Sequence, residues 1–180
     1  MRSSGVGYRL HELAPQQYKK IYDWFTARPG ALAALAAADL FLPRLLFLGY
    51  PVLLGLLGFE ALRGGSWLDL ARAVAVPAAV FIGGSALRAK LNFPRPYEQP
   101  GFTPLADKAT RGQAFPSRHA LSAAVIAAAW LRFYPPVGWI MAAAAAGVCV
   151  VRVLAGVHAP RDVAAGAALG FGLGVLGMWL

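Results

Sequence analysis

Long apolar runs alternate along this chain with short, densely polar knots. Leu45 to Leu62 is the first clear run, interrupted only by Glu60 near its end. The turn Arg63-Gly64-Gly65-Ser66 closes it, and Ala73 to Leu87 follows, with a start that can reach back to Trp67. Ala120 to Trp130 continues to Phe133 and stops at Tyr134-Pro135-Pro136, a strong terminator because proline removes a donor and clashes with the preceding turn. Val137 to Val151 and Val163 to Leu180 bring the set to five. Each approaches the roughly 20 apolar residues needed to cross a bilayer core.

The N-terminal region reads differently. Pro15 to Phe25 mixes Tyr18, Ile21, Tyr22, Trp24 and Phe25 with Lys19, Lys20 and Asp23, a pattern that suits a helix lying in the membrane interface. Gly30 to Leu42 is apolar but short and holds Asp39; it fits an interfacial helix, a re-entrant segment or a tilted sixth crossing, and we read it as a helix along the membrane. The expected fold is therefore an all-α integral membrane bundle of five to six transmembrane helices with an N-terminal interfacial helix. It forms one domain over 1–180, with 1–42 the interfacial or re-entrant region and 43–180 the transmembrane core. No repeat or low-complexity linker divides it.

Composition agrees with the pattern. Of 180 residues, 58% are hydrophobic and 14% charged, and the mean hydropathy is +0.55; a soluble domain carries about 25% charged residues. The first thirty residues lack a compact apolar core followed by a small-residue cleavage site, so no cleavable signal is expected and the spans direct insertion. The one cysteine, Cys149, lies in an apolar run and admits no intramolecular disulfide. The net charge of +9 raises nucleic acid as a partner. The basic residues, however, flank spans or gather in knots instead of forming a solvated stripe with interleaved aromatics, which favours anionic lipid and excludes nucleic acid.

Three knots carry the chemistry: Arg88-Ala89-Lys90-Leu91-Asn92-Phe93-Pro94-Arg95-Pro96, then Phe115-Pro116-Ser117-Arg118-His119, then Arg152 through His158 to Asp162. Charged groups beside hydrocarbon are costly unless they pair or bind something. Counting crossings brings all three to one face: the span before Arg88 exits there, His119 starts the next span, Pro135-Pro136 turns on the far side, and Arg152 returns. The segment from Arg88 to Ser117, with Pro94, Pro96, Pro100, Pro104 and Pro116, is a loop long enough to fold over a site.

The residue types point to phosphate. Arg88, Arg95 and Arg152 offer planar forks of donors that stay charged, Lys90 can add a point charge, and Ser117 with adjacent backbone donors can complete a cradle. Asp162, four residues after His158, can fix one ring nitrogen and leave the other free to attack phosphorus. His119, at another helix start, can protonate a leaving oxygen that would depart poorly as an alkoxide. Glu98, Asp107 and Asp162 are scattered, no HExxH or paired-carboxylate motif appears, and cations crowd the site, so no metal and no cofactor is expected. The arginines supply the neutralisation that magnesium gives elsewhere.

Together the knots resemble the signature of the type 2 phosphatidic acid phosphatase superfamily, which also includes bacterial acid phosphatases and vanadium haloperoxidases: Lys-x6-Arg-Pro, Pro-Ser-Gly-His and Ser-Arg-x5-His-x3-Asp. Here the pattern reads Arg88-x6-Arg95-Pro96, Pro116-Ser117-Arg118-His119 and Val151-Arg152-x5-His158-x3-Asp162. The resemblance implies that His158 is the nucleophile that becomes phosphorylated, Asp162 its partner, and His119 the acid and then the base for water. Arg88, Arg95, Ser117 and Arg152 would be phosphate ligands. Three positions depart from the pattern: Arg88 replaces a lysine and leaves open whether Lys90 shares its role, Arg118 replaces a glycine, and Val151 replaces a serine. Arg118 beside Ser117 can reach a second anionic group, as in a pyrophosphate, or form a salt bridge to Asp107 or Glu98.

The expected activity is metal-independent hydrolysis of a lipid phosphate or pyrophosphate through a phosphohistidine. Substrates in view are a polyprenyl phosphate or pyrophosphate, phosphatidylglycerol phosphate and phosphatidic acid. Alternatives are transfer of the phosphoryl group to another lipid and anionic-lipid binding or transport without turnover; the trio His119, His158 and Asp162 argues against the last. Five crossings place the basic N-terminal segment and the knots on one face, which the positive-inside tendency makes cytoplasmic. The resemblance implies a bacterial inner membrane with the site on the outer face, and a sixth N-terminal crossing would reconcile the two. The oligomeric state is left open. Gly166, Gly170 and Gly174, spaced by four, are expected to pack the last span against its neighbours within the monomer.

Overall fold

A computed structural model describes residues 15–107 and 110–180 of the chain. Its elements are helices α1 (Pro15–Thr26), α2 (Pro29–Leu62), α3 (Trp67–Leu91), α4 (Arg118–Phe133), α5 (Pro135–Leu154) and α6 (Pro160–Trp179), with one short 3-10 turn, Pro96–Glu98, in the long loop. Among the described residues, α2, α3, α5 and α6 are long and apolar enough to cross a membrane. The protein is an all-α integral membrane protein. The fifth bundle helix, α4, has only 16 residues, about 24 Å at 1.5 Å per residue, and every residue from Ala120 to Trp130 is buried. It runs through the centre of the bundle, where its neighbours shield it.

The helix ends follow local chemistry. Ser66 accepts the Asp69 amide at 3.2 Å and starts α3. Asn92 ends it in the left-handed conformation, with a φ of 43°. Pro135 and Pro160 occupy the first positions of α5 and α6, where a missing N–H costs nothing. The Pro135-Pro136 pair thus separates α4 from α5 by Tyr134 alone, whose hydroxyl donates to Glu60 at 2.6 Å and ties that turn to the end of α2.

One expectation is corrected. Residues 30–42 do not form a separate helix but are continuous with the following span in a 34-residue α2 that contains Pro43 and Pro51. Pro43 is buried, and prolines are tolerated in such helices because neighbouring helices and local adjustment satisfy the freed carbonyl. At about 51 Å by helical rise, α2 is longer than a bilayer core of roughly 30 Å. The expected interfacial helix is present as α1, with Tyr18 buried beneath it and Trp24 exposed; residues 1–14 of the expected N-terminal region lie outside the described residues.

Packing uses small side chains, as expected where lipid gives helices no hydrophobic reason to associate. Ala123, Ala127 and Ala129 of α4 pack with Leu46, Leu53, Ala144, Ala145 and Met178 in the main core. Gly166, Gly170 and Gly174 line α6 where it meets α4: a Cβ on Gly166 would lie 2.5 Å from the Ser117 carbonyl, and one on Gly170 would strike the Leu121 carbonyl. Large apolar side chains such as Phe41, Leu48, Ile82, Ile140 and Leu176 face outward to lipid. Exposed Trp67, Trp139 and Trp179, at the start of α3, near the start of α5 and at the end of α6, mark the interface at the end opposite α1.

Candidate active site

The C-terminal ends of α3 and α5 and the N-terminal ends of α4 and α6 meet at one end of the bundle and bring the three polar knots together. The Ser117 amide donates to the Asp162 carbonyl at 2.8 Å, joining the starts of α4 and α6. Arg88, in the last turn of α3, donates from Nη1 to the Pro116 carbonyl at 3.0 Å. It lies within electrostatic range of Arg95, Arg118 and Asp162. The carbonyl of Arg152 accepts the amides of Val157 and His158 at 3.1 and 3.2 Å, which folds the turn that presents the histidine.

Burial here is extreme for charged side chains. Arg88 is 5% exposed, Arg152 6%, His158 1% and Asp162 1%, and Ser117 is wholly buried. Such groups are almost never sequestered unless paired or provided with a ligand. Ser117 stands at the N-cap of α4 yet makes no cap hydrogen bond, and its hydroxyl has no partner among the described residues. The first-turn amides of α4 also lack intrahelical acceptors by helical geometry, so the helix end directs donors and partial positive charge at the same place.

His158 faces Asp162, with Nδ1 3.6 Å from Oδ2, within ion-pair range and slightly long for a hydrogen bond. The same Oδ2 accepts the Ala159 amide at 3.1 Å, which fixes the carboxylate. Burial holds the imidazole below its ordinary pKa; Asp162 close by pulls the other way, and the positive charges of Arg95 and Arg88 push down further. The neutral ring is favoured, which is the form with a lone pair to give. His119, on the first turn of α4, is half-buried with its ring 6.3 Å from that of Phe47.

Arg95 is half-buried in the loop. Its Nε donates to the Gly112 carbonyl at 3.1 Å, and its backbone amide donates to Glu98, which also accepts the Gly112 amide at 2.7 Å. Glu98 therefore stitches the loop and is not paired with Arg118. Arg118 is exposed and lies over the Phe81 ring, its Cζ 5.8 Å from the centroid. Lys90 is exposed, two residues beyond the buried Arg88 and so on nearly the opposite side of α3. The structure does not bring it to the other candidates.

Three contributors escape sequence reasoning. Asp39 of α2 pairs with Arg152, its Oδ1 3.3 Å and Oδ2 3.5 Å from Nη1; a carboxylate in an apolar run was the available signal. Arg161 places Nε 3.5 Å from Asp162 Oδ1 and its Cζ 5.8 Å from the Phe93 ring centroid. Tyr18 of α1 donates to the Leu154 carbonyl at 2.9 Å, accepts the Leu105 amide at 3.2 Å and stacks on Phe102 at 4.4 Å. Burial pushes its phenol up to about 12, so it remains a donor. Gly156, with a φ of +75°, passes so near this ring that a Cβ would lie 2.6 Å from the hydroxyl. The interfacial helix, the loop and the histidine turn are clamped together at that point.

Beside the polar cluster, an apolar cavity of about 390 Å³ lies between α2, α3 and α4, lined by Phe47, Tyr50, Leu54, Pro77, Phe81 and Val125 among others. Phe47 lies beside His119 and Phe81 beneath Arg118, so the cavity adjoins the polar cluster at those two residues. A buried, cationic cluster and an apolar cavity stand side by side. Among the described residues no group of three or more His, Cys, Asp or Glu comes together to hold a metal ion.

Comparison with known proteins gives three findings. The family model of the PAP2 superfamily matches residues 67–180. The fold is similar to the crystal structure of LpxE from Aquifex aeolicus, at a TM-score of 0.61 and 24% identity over 79% of this chain and 86% of that one. It is also similar to that of a transmembrane PAP2-type phosphatidylglycerolphosphate phosphatase from Bacillus subtilis, at a TM-score of 0.56 and 22% identity over 89% and 90% of the two chains. No curated protein matches the sequence.

Proposed function

The chain belongs to the PAP2 superfamily and is an integral membrane enzyme of it; on that premise we propose that it hydrolyses a lipid phosphate or pyrophosphate through a phosphohistidine on His158. The observation that carries the proposal is the buried, neutral-favoured imidazole of His158, oriented by Asp162 among buried arginines and the unpartnered Ser117 hydroxyl.

Arg88, Arg95, Arg152, Ser117 and the first amides of α4 hold the phosphoryl oxygens and neutralise the charge that grows on them in the transition state. Nδ1 of His158 is turned to Asp162, so Nε2 supplies the electron pair that attacks phosphorus. The phosphorus–oxygen bond to the lipid breaks as His119 gives its proton to the departing oxygen, and the lipid leaves as an alcohol, or as a monophosphate if the substrate is a pyrophosphate. His119, now neutral, takes a proton from water. The hydroxide attacks phosphorus, the phosphorus–nitrogen bond breaks, and inorganic phosphate leaves. Asp162 stabilises the positive charge that His158 carries between the two steps. No metal takes part.

The apolar cavity receives the substrate tail while the head reaches the arginines, which makes a polyprenyl phosphate or pyrophosphate, or a glycerophospholipid phosphate, the fitting substrate class. The two similar structures bear on this through their names, one of them a phosphatidylglycerolphosphate phosphatase. The enzyme is assigned to a bacterial inner membrane with the site on the outer face.

A panel of lipid phosphates assayed with chelator present tests the proposal. Release of free phosphate from at least one lipid, undiminished by chelator and absent in His158→Ala, is the expected result. Label appearing in another lipid instead of free phosphate would reassign the enzyme as a phosphotransferase, and no release from any lipid would overturn hydrolysis.

A further inference from the structure

We propose that Asp39, on α2, is a positioning residue that sets the guanidinium of Arg152 for the phosphate; this rests on the reading of the site as one that binds a phosphoryl group. Asp39 lies outside the segment matched to the family, 113 residues before its partner, so the signature motifs do not include it.

Both carboxylate oxygens of Asp39 approach the same donor, Nη1 of Arg152, at 3.3 and 3.5 Å. Nη1 is the nitrogen on the Cδ side of the guanidinium. The opposite edge, made of Nε–H and one N–H of Nη2, is the parallel fork that grips two oxygens of a phosphate or carboxylate at once. Nε of Arg152 is buried and has no partner among the described residues. Asp39 therefore occupies the donor that the fork does not need and leaves the fork unspent.

Two further features support a positioning role. Arg95 is close enough to Arg152 to repel it, and the attraction of Asp39 opposes that repulsion. Asp39 also adjoins the histidine turn: with Leu35, Ala36, Leu105 and Ala155 it lines a small cavity of about 120 Å³. Leu105 and Ala106 donate their amides to the Ala155 carbonyl at 3.2 and 3.3 Å. The carboxylate thus reaches Arg152 from α2 where that helix borders, across the small cavity, the loop bonded to the turn that carries His158.

Orthovanadate, a phosphoryl mimic, supplies a probe that does not depend on turnover. In the purified full-length protein, vanadate affinity is measured by protection against thermal unfolding, beside kcat and KM on the best lipid phosphate. Asp39→Asn is expected to weaken vanadate binding about tenfold, a coupling of ordinary size for residues in contact, and Asp39→Glu to recover part of the loss. In an Arg152→Ala background, Asp39→Asn should have no further effect. Should the asparagine variant fail to assemble, Asp39→Glu carries the test, with weaker vanadate binding at an unchanged melting temperature.

Unaltered vanadate affinity in Asp39→Asn would overturn the proposal. So would tighter binding, which would make the carboxylate a competitor for Arg152, or an equal effect with and without Arg152. A wild-type protein that binds vanadate but hydrolyses no lipid phosphate defeats the proposed function and leaves this coupling measurable. A wild-type protein that binds no oxyanion defeats both.

Discussion

The amide of Ser117 donates to the carbonyl of Asp162 at 2.8 Å, so α4, which starts beside the buried Ser117 hydroxyl, and α6, which carries Asp162 beside His158, begin at one shared hydrogen bond. The glycines of α6 let α4 come close enough for it to form: Gly166, four residues past Asp162, passes where a Cβ would lie 2.5 Å from the Ser117 carbonyl. Close packing of α6 on α4 thereby sets geometry at the helix starts.

That dependence is testable at two neighbouring glycines. Gly170 faces the Leu121 backbone of α4, whereas Gly172 has nothing within 4 Å of a would-be Cβ. Gly170→Ala should lower the melting temperature in detergent, by the equivalent of about 1–3 kcal/mol for an overpacked contact, and lower activity with it. Gly172→Ala should stay within about 0.5 kcal/mol of wild type. Equal effects at the two sites would contradict the α4–α6 packing.

Acidification gives a second test. Burial lowers the His158 pKa below its unfolded value of about 6.5. Between the folded and unfolded values the unfolded chain binds more protons than the folded one, so stability falls as pH drops through about 6.5 and levels off once the folded pKa is passed. The melting temperature should decline on acidification through this window in wild type and decline less in His158→Gln. The acid limb of kcat/KM assigned to His158 should likewise lie below pH 6.5. An acid limb above that value that vanishes with His158 would show a raised pKa and contradict the buried neutral ring.

Much of the fold is legible in the sequence, and what is not has physical reasons. Apolar runs locate helices because a bilayer punishes any other arrangement of the backbone, and the knots at their ends stood out because cations beside hydrocarbon are rare. The joining of 30–42 to the next span was not legible, since Pro43 reads as a break by propensity and is carried only because neighbouring helices support it. Asp39 counted only as a mark against a crossing; its value comes from Arg152, which no local pattern connects to it. Tyr18 looked like one aromatic among several in an interfacial helix, and only the fold buries it on the histidine turn. Lys90 could have been set aside from the sequence, because positions two apart on a helix do not share a face.

Arg118 offers a test between two substrate classes. It is exposed, makes no ion pair with Glu98 or Asp107 among the described residues, and covers Phe81 where the apolar cavity meets the polar cluster. A second phosphate between head and tail would meet it there. Arg118→Gly should reduce kcat/KM on a lipid pyrophosphate about tenfold more than on the matching monophosphate, the size of one charge-assisted hydrogen bond. Equal losses on both would remove this role.

Orientation is open to direct labelling. α1 sits at the site end through the Tyr18 hydrogen bond to Leu154, and no sixth crossing occurs among the described residues, so Lys20 and the site share a face. With that face outward, Lys20→Cys in a Cys149→Ser background should react with a membrane-impermeant maleimide in intact spheroplasts. Protection until lysis would place the site in the cytoplasm, as the basic residues of α1 would favour.

The central claim is that the imidazole of His158 takes the phosphoryl group. Rapid quenching of the enzyme during turnover of a labelled lipid phosphate, followed by mass spectrometry of the peptide containing residue 158, tests it most directly. The account predicts an acid-labile, base-stable phosphoryl group on His158 that accumulates when His119 is replaced by alanine and a substrate with a good leaving group is used. Sustained turnover with no phosphoryl group on His158, or full activity in His158→Ala, would contradict it.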